Sequence, residues 1–296
     1  MINSNLATAR RISALERGEL SSTEVNNTHN ASYVVGISGP PGVGKSVLVG
    51  ELALLVARSG HRVAVLAVDP SSPITGGAVL ADRVRMPLDF EGLDVFIRSL
   101  ASRGALGGLS QIVASAVHIL SDEGYPIVFI ETVGVGQNET EIMDIANTVI
   151  LVQTPGAGDE AQGLKAGILE IADIFVVNKM DHPNAEFTLR TIRDIANSSA
   201  REGWQPTVIP TVALKSEGIE KLWESIQAHK KWSDSVGATK RQYTRRIEMQ
   251  LMWSLWCTLR TRLPLTEIAL NVADGSLSFN QAIKRLENFI AEMECM

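Results

Sequence analysis

Cysteine is scarce in this chain of 296 residues, which contains only Cys257 and Cys295. Two cysteines near the C-terminal end do not make a disulfide framework and lack the spacing of a zinc site, so we expect a reducing compartment. No apolar run approaches the roughly 20 residues that a membrane span requires. The N-terminal stretch lacks the apolar centre of a secretory signal. These absences predict a cytoplasmic protein that does not contact a membrane.

An excess of basic charge is also missing, because 33 acidic residues outnumber the 27 lysines and arginines. A nucleic-acid-binding protein usually carries a concentration of positive charge, so we expect no nucleic-acid partner. The hydrophobic content of 45% is enough for a substantial core. The length suits one large α/β domain with extensions, or two small domains.

Short apolar segments rich in β-branched residues alternate with helical segments from residue 32 onwards. Strands of this kind lie in parallel sheets that helices cover on both faces, so the sequence predicts an α/β fold with a mostly parallel central sheet. We expect an N-terminal helical extension and linker (1–30), the α/β domain (31–232) and a C-terminal helical region (233–296). The predicted strands cover residues 33–38, 62–69, 93–99, 126–132, 148–154, 173–179 and 207–213. The predicted helices between them cover 108–123, 137–147, 159–172, 184–203 and 216–230.

The segment GPPGVGKS, residues 39–46, fits the phosphate-loop pattern G-x-x-x-x-G-K-[ST] in full. Glycines let such a loop curl with its N–H groups inward, and the positive end of the next helix faces the phosphates. Lys45 is expected to reach the β- and γ-phosphates and to take part in catalysis, and the Ser46 hydroxyl to bind Mg²⁺. The pattern predicts a P-loop NTPase. The expected nucleotide contacts of the loop are Gly39, Gly42, Val43, Gly44, Lys45, Ser46 and Val47.

The segment NKMD, residues 178–181, lies at the end of a predicted apolar strand and is expected to select the base. Asp181 is expected to accept hydrogen bonds from guanine N1–H and the exocyclic amine, a pair that adenine does not offer. Lys179 is expected to cover the base, Asn178 to connect loops, and the backbone of Ala213 to complete the pocket. The expected ligands are therefore GTP and GDP. The alternative for Asp181 is a cap at an exposed helix start.

Several acidic residues follow the predicted strands. Glu131 ends an apolar strand, where a carboxylate needs a partner. We expect it to act on Mg²⁺ through water or to orient the attacking water, and the N–H group of Gly134 to approach the γ-phosphate. Asp69 also ends a strand and is a candidate for contact with Mg²⁺ or its waters. Asp82 is either part of this group or a surface ion pair with the neighbouring arginines.

Both ends of the chain predict amphipathic helices. The C-terminal region has one helix over 239–263 and another over 279–293. Their apolar faces either pack back on the α/β domain or are buried against a second subunit. The partial stripe of the N-terminal helix consists of Ile2, Leu6, Ile12 and Leu15. The stripe of the longer C-terminal helix includes Ile247, Leu251, Leu255 and Leu259.

These segments together resemble the MeaB/ArgK family, the methylmalonyl-CoA mutase-associated proteins of the metallochaperone-like branch of P-loop GTPases. The resemblance covers about residues 36–181. It rests on the segments GPPGVGKS, VDPSSPITGGAVLADRVRM, FIRSLASRGALGGLS, ETVGVGQNE, PGAGDEAQGLKAGILEIADI and NKMD. The C-terminal region is short for the family, and Val212 stands where serine is usual.

The resemblance implies a homodimeric GTPase that acts on an adenosylcobalamin-dependent acyl-CoA mutase, either methylmalonyl-CoA mutase or a close relative. Members gate cofactor loading and eject inactivated cofactor, which protects the mutase. The resemblance also implies that Asp69, Asp82 and Glu131 form the Mg²⁺ and hydrolysis group, with Asp82 and Glu131 catalytic. Lys165 is a candidate switch residue, with an exposed helix lysine as the alternative.

We expect slow GTP hydrolysis by in-line attack of water on the γ-phosphate. Three other functions stay open on the sequence alone. A GTPase chaperone for another metal centre usually carries His or Cys clusters, which are missing here. A kinase or transport ATPase would prefer ATP, and a vestigial binding protein would not retain Lys45, Ser46 and Glu131. The arginines that could stabilise the transition state are Arg83, Arg85, Arg98 and Arg103.

Overall fold

A parallel sheet organises the fold. The computed structural model describes residues 2–17, 31–69, 90–101, 109–132, 145–156, 171–200 and 203–294. The strands in these residues are β1 (Tyr33–Ser38), β2 (Val63–Asp69), β3 (Val95–Ala101), β4 (Ile127–Thr132), β5 (Thr148–Gln153), β6 (Ile174–Val177) and β7 (Thr207–Pro210). All neighbouring pairs are parallel, in the order β3-β2-β4-β1-β5-β6-β7. The predicted α/β class and the seven predicted strands are confirmed.

Helices cover both faces of the sheet. Successive residues of β1 point to opposite faces, so that Val34 lies in one hydrophobic cluster and Val35 in another. The predicted helices 137–147 and 159–172 fall almost entirely outside the described residues. The described helices are α1 (Ile2–Glu16), α2 (Lys45–Arg58), α3 (Leu109–Asp122), α4 (Ala185–Ser198), α5 (Ile219–Ser235), α6 (Ala238–Arg262), α7 (Leu265–Ala273) and α8 (Phe279–Glu294). Among these helices none is long and apolar enough to cross a membrane.

The N-terminal helix α1 packs on α3 with a face that coincides only in part with the predicted stripe. Ile12 and Leu15 are buried as predicted, but Leu6 is 49% exposed and Thr8 is fully buried. At 3.6 residues per turn, position 8 lies almost above position 12, whereas position 6 is rotated about 120° away. The prediction for Leu6 is therefore wrong. The side chain of Ile2 lies outside the described residues.

A polar contact also joins α1 to the edge strand β3. The guanidinium group of Arg98 donates hydrogen bonds to the Glu16 carboxylate at 2.7 Å and to the Ser13 hydroxyl at 2.8 Å. This partner set explains why an arginine is tolerated in the middle of a strand. Arg98 thus holds α1 in place. These contacts do not support the prediction that Arg98 could stabilise the transition state of hydrolysis.

The C-terminal helices divide between the two alternatives that the sequence left open. The first half of α6 packs on α3 and α5, and Met249 contacts the core. Further along α6, Leu251, Met252 and Leu255 are 63%, 62% and 54% exposed. In α8, Ala282 is buried, whereas much of the remaining apolar surface is accessible. One part of the apolar surface therefore packs back on the domain, and another part faces outward.

A buried arginine fixes α6 to the amino-terminal edge of the sheet. Arg246 is 4% exposed, and its guanidinium group donates hydrogen bonds to Ile145 O at 2.9 Å, Asn147 Oδ1 at 3.0 Å and Ser32 O at 3.3 Å. Burial lowers the pKa of Arg246 to about 10, because the charged form loses hydration. The group stays charged at neutral pH and links three separate segments of chain.

We expect Arg246→Ala to lower the free energy of unfolding by about 2–4 kcal/mol, because it leaves buried carbonyl groups without a donor. Urea denaturation followed by circular dichroism measures the change. The control is Lys240→Ala, which removes an exposed cation from the same helix. Equal denaturation midpoints for the two variants would contradict the role given to Arg246.

Candidate nucleotide-binding site

The loop between β1 and α2 has a backbone that glycine adopts readily and other residues do not. Gly39, Gly42 and Gly44 have φ angles of +147°, +77° and +96°. Neighbouring atoms also exclude side chains at two of these positions. A Cβ at Gly39 would lie 2.3 Å from Val152 O, and one at Gly44 would lie 2.5 Å from Asn178 Nδ2. The glycines therefore let the loop lie directly against β5 and the segment after β6.

The ammonium group of Lys45 lies inside this loop. The residue is 6% exposed, and its Nζ donates hydrogen bonds to Gly39 O at 2.6 Å and Pro40 O at 2.8 Å. A buried ammonium needs such partners, because leaving it unpaired away from water is strongly unfavourable. Lys45 is also the first residue of α2, where the helix dipole and N–H groups attract anions. The loop thus combines positive charge with backbone donors, which is the arrangement that phosphates require.

A serine and a glutamate meet beside the loop. The Ser46 hydroxyl donates a hydrogen bond of 2.6 Å to Glu131 Oε1, and Glu131 is only 2% exposed at the end of β4. The pair brings a hydroxyl and a carboxylate together at the carboxyl edge of the sheet. Oxygen atoms of this type are the ligands that Mg²⁺ prefers, so the donor set fits this ion.

Asn178 joins the phosphate loop to the segment after β7. Its amide nitrogen Nδ2 donates to Val43 O at 2.8 Å. Its oxygen Oδ1 accepts hydrogen bonds from Ala213 N at 3.0 Å and from the Thr211 hydroxyl at 3.1 Å. The side chain is 3% exposed, so these bonds form away from bulk water. The predicted connection of loops by Asn178 is therefore seen directly, and the N–H group of Ala213 is used within it.

The two residues that are expected to contact the base lie nearby. Lys179 has a φ angle of +59°, which is uncommon outside glycine, and its Nζ donates to Gly42 O at 2.7 Å. Asp181 is half exposed and forms an ion pair with Lys215, with 3.5 Å between Oδ2 and Nζ. The Asp181 carboxylate is therefore accessible and has a cationic neighbour. It does not cap the next helix, whose N-cap residue is Asn184. The structure shows no side-chain cap hydrogen bond at the start of α4.

The structure brings together most of the predicted site residues at the carboxyl edge of the sheet. Asp69 ends β2 and lies one strand from Glu131, although its side chain is outside the described residues. Asp82, Gly134 and Lys165 are also outside them, as are three of the candidate arginines. The residues that lie together are the loop 39–47, Glu131, Asn178, Lys179, Asp181 and Ala213.

Sequence analysis missed two contacts of the segment 212–218. One is the ion pair of Lys215 with Asp181. The other is a hydrogen bond of 2.7 Å from the Ser216 hydroxyl to Glu51 of α2, a residue 165 positions away in the chain. The segment VALKSEG gave no local signal for either, because only the assembled sheet brings these elements together. Val212, noted as unusual, is buried and pairs its backbone with Glu217.

Comparison with known proteins is consistent with this geometry. Residues 11–262 match the family described as methylmalonyl Co-A mutase-associated GTPase MeaB. The chain belongs to the MeaB family of GTPases. Among its relatives, a Pyrococcus abyssi protein, whose GTPase designation is itself a prediction, is 44% identical over 254 residues. The match covers 83% of this chain and 78% of that protein. GTP binding and GTP hydrolysis follow from membership of this GTPase family.

Two further comparisons extend over most of the chain. The Mus musculus protein named methylmalonic aciduria type A homolog, mitochondrial, is 34% identical over 292 residues, which cover 92% of this chain and 68% of that protein. A crystal structure named LAO/AO transport system kinase has a TM-score of 0.60 and 26% identity, and covers 97% of this chain and 98% of its own. The P-loop NTPase fold is thus shared across nearly the full length.

We expect Asn178→Asp to weaken GDP binding at least about tenfold and to lower the free energy of unfolding by about 1–3 kcal/mol. The new carboxylate has no N–H donor and would face Val43 O, so that repulsion replaces a hydrogen bond. Titration with GDP and urea denaturation measure the two effects. The control is Asn184→Asp, the same change at an exposed position. GDP affinity within about twofold of the unaltered protein would contradict the connecting role of Asn178.

Proposed function

We propose that this GTPase uses GTP with Mg²⁺ as the chaperone of an adenosylcobalamin-dependent acyl-CoA mutase. It gates loading of the cobalamin cofactor and protects or reactivates the mutase. The observation that carries the proposal is the match of residues 11–262 to a family described as associated with methylmalonyl-CoA mutase. The name of the mouse relative, which refers to methylmalonic aciduria, agrees with this function.

At the phosphate end of the site, the chain supplies fixed donors. Lys45 already has its ammonium group inside the loop, held by Gly39 O and Pro40 O. When a triphosphate binds, this ammonium exchanges carbonyl partners for β- and γ-phosphate oxygens. Charge-assisted hydrogen bonds of this kind are stronger than neutral ones. Lys45 and the loop N–H groups therefore stabilise the charge that moves onto the phosphoryl oxygens during hydrolysis.

The Mg²⁺ ion is assigned to Ser46 and Glu131, with Asp69 and Asp82 as the further acidic residues of the group. When bound, the ion neutralises charge on the β- and γ-phosphates. Glu131 lies 2.6 Å from the Ser46 hydroxyl and is buried. The carboxylate therefore keeps the serine oriented, and it is placed either to hold a water ligand or to orient the water that attacks.

The guanine base is assigned to the NKMD segment. Asp181 offers two carboxylate oxygens to N1–H and the exocyclic amine, and Lys179 covers the ring with its aliphatic stem. With this assignment the site prefers GTP to ATP, unlike a kinase or transport ATPase, the function that the name of the LAO/AO transport system kinase structure suggests for that protein. A chaperone for another metal centre usually carries clusters of His or Cys, and the scattered histidines and two cysteines of this sequence disfavour that function.

The homodimer is also part of the proposal. Exposed apolar side chains on the three C-terminal helices support it. They are Leu251, Met252 and Leu255 on α6, Leu270 on α7, and Phe279 and Ile283 on α8. Large exposed apolar patches often mark contacts with another protein. Light scattering of the free protein measures whether two copies associate.

We expect Glu131→Gln to reduce the turnover number for GTP by about 100-fold while GTP affinity changes little. The glutamine amide oxygen can still accept the hydrogen bond from Ser46, but the negative charge is lost. Single-turnover phosphate release measures the rate. The control is Glu224→Gln, the same change at an exposed position of α5. Unchanged turnover in Glu131→Gln would remove this residue from the hydrolysis group.

We expect the chain to capture a cobalamin-dependent acyl-CoA mutase from extracts of its source cell in a nucleotide-dependent way. Bait loaded with GDP is compared with bait loaded with a non-hydrolysable GTP analogue, because the γ-phosphate changes the geometry that a partner reads. Mass spectrometry identifies the captured proteins, and purified mutase then tests direct binding and cobalamin loading. Recovery of no cobalamin-dependent mutase in either state would contradict the proposed partner.

A further inference from the structure

Two buried polar side chains lie at the ends of neighbouring strands, next to the start of the phosphate loop. Ser38 is the last residue of β1 and Gln153 is the last residue of β5, and they are 0% and 1% exposed. Among the described residues, neither Ser38 Oγ nor Gln153 Nε2 has a hydrogen-bond partner. A buried polar atom without a partner destabilises the folded state, so each such atom needs an explanation.

Both side chains point to the same face of the sheet. In β1, Ser38 comes four positions after Val34, and in β5, Gln153 comes two positions after Leu151, so each pair shares a face. Val34 and Leu151 belong to hydrophobic clusters on the face opposite the one that α2 covers. The two polar side chains therefore interrupt an apolar surface at its carboxyl edge, behind the phosphate loop.

The backbone pairing of β1 with β5 ends where these side chains lie. Its last pair is Ser38 with Leu151, whereas β5 continues to Gln153, which pairs with Val177 of β6 on its other side. At Gly39, with a φ angle of +147°, the chain enters the phosphate loop. The loop thus begins at the point where backbone pairing stops holding β1 to β5.

The chemistry of the two atoms fits a water molecule between them. Gln153 lies two residues beyond the strand partner of Ser38, an offset of about 7 Å along the strands. The two side chains do not bond to each other directly, and a water can span a gap of this kind. The glutamine amide only donates, whereas the serine oxygen also accepts. A water that accepts from Gln153 Nε2 and donates to Ser38 Oγ satisfies both atoms.

We propose that Ser38 and Gln153 bind one ordered water, which continues the link between β1 and β5 past the last backbone pair and so positions the start of the phosphate loop. Ser38 directly precedes Gly39, and Gln153 O accepts a hydrogen bond of 2.8 Å from Asn178 N. The water therefore joins the phosphate loop to the strand that also holds Asn178. Ser38 and Gln153 are positioning residues, since they act on the nucleotide through the loop.

The test is a double-mutant cycle of Ser38→Ala and Gln153→Met, each of which removes one partner of the water with little change in side-chain size. We expect each variant to lower the melting temperature by about 2–4 °C and to weaken GDP binding about three- to tenfold. The double variant should be hardly worse than either single variant, because both substitutions remove the same water. Differential scanning calorimetry and isothermal titration calorimetry measure the two effects.

A matched control and a direct observation complete the test. Gln227→Met makes the same change at an exposed position of α5 and should alter neither the melting temperature nor the GDP affinity. A crystal structure of the unaltered protein with GDP should show the water within about 3 Å of Ser38 Oγ and Gln153 Nε2.

Each contrary result overturns the inference. A higher melting temperature in Gln153→Met would mean that the amide has no partner, because its removal would then relieve an unfavourable burial. Additive losses in the double variant would exclude a shared water. Electron density for a protein group between the two atoms would replace the water. Unaltered GDP affinity in both single variants would contradict the positioning of the phosphate loop.

Discussion

The hydrogen bonds of Asn178 are the interaction on which the site depends. One buried amide joins Val43 of the phosphate loop to Ala213 and Thr211 beyond β7. The phosphate loop and the base segment arise from parts of the sequence more than a hundred residues apart. A buried asparagine with both its donor and its acceptor satisfied gives them one relative position.

The parallel sheet makes this connection possible. Because all strands run in the same direction, the segments after β1, β4, β6 and β7 begin at the same edge. The order of strands puts β1 between β4 and β5, so the phosphate loop faces Glu131 on one side and the base segment on the other. The relative positions of the phosphate loop, Glu131 and the base segment thus follow from the order of the strands. Side-chain hydrogen bonds then set the distances between them.

The fold and the local motifs could be predicted from sequence because their signals are local. A run of apolar β-branched residues defines a strand, and the phosphate loop has a fixed spacing. Contacts between distant segments gave no such signal. The burial of Arg246 could not be read from a helix that also contains Arg245. Leu6 belongs to the predicted stripe because it is hydrophobic, although its helical phase differs from that of Ile12. The ties of Lys215 to Asp181 and of Ser216 to Glu51 depend on two neighbouring loops of the assembled sheet.

The polar groups of the site already have partners within the chain, and this affects how a nucleotide binds. Lys45 contacts carbonyl groups of its own loop, Ser46 contacts Glu131, and Asp181 contacts Lys215. Binding is therefore an exchange of hydrogen bonds, and its net free energy is smaller than the sum of the new contacts. In the proposed complex, hydrolysis removes the γ-phosphate contacts of Lys45 and keeps those of the β-phosphate, so that only part of this exchange is reversed.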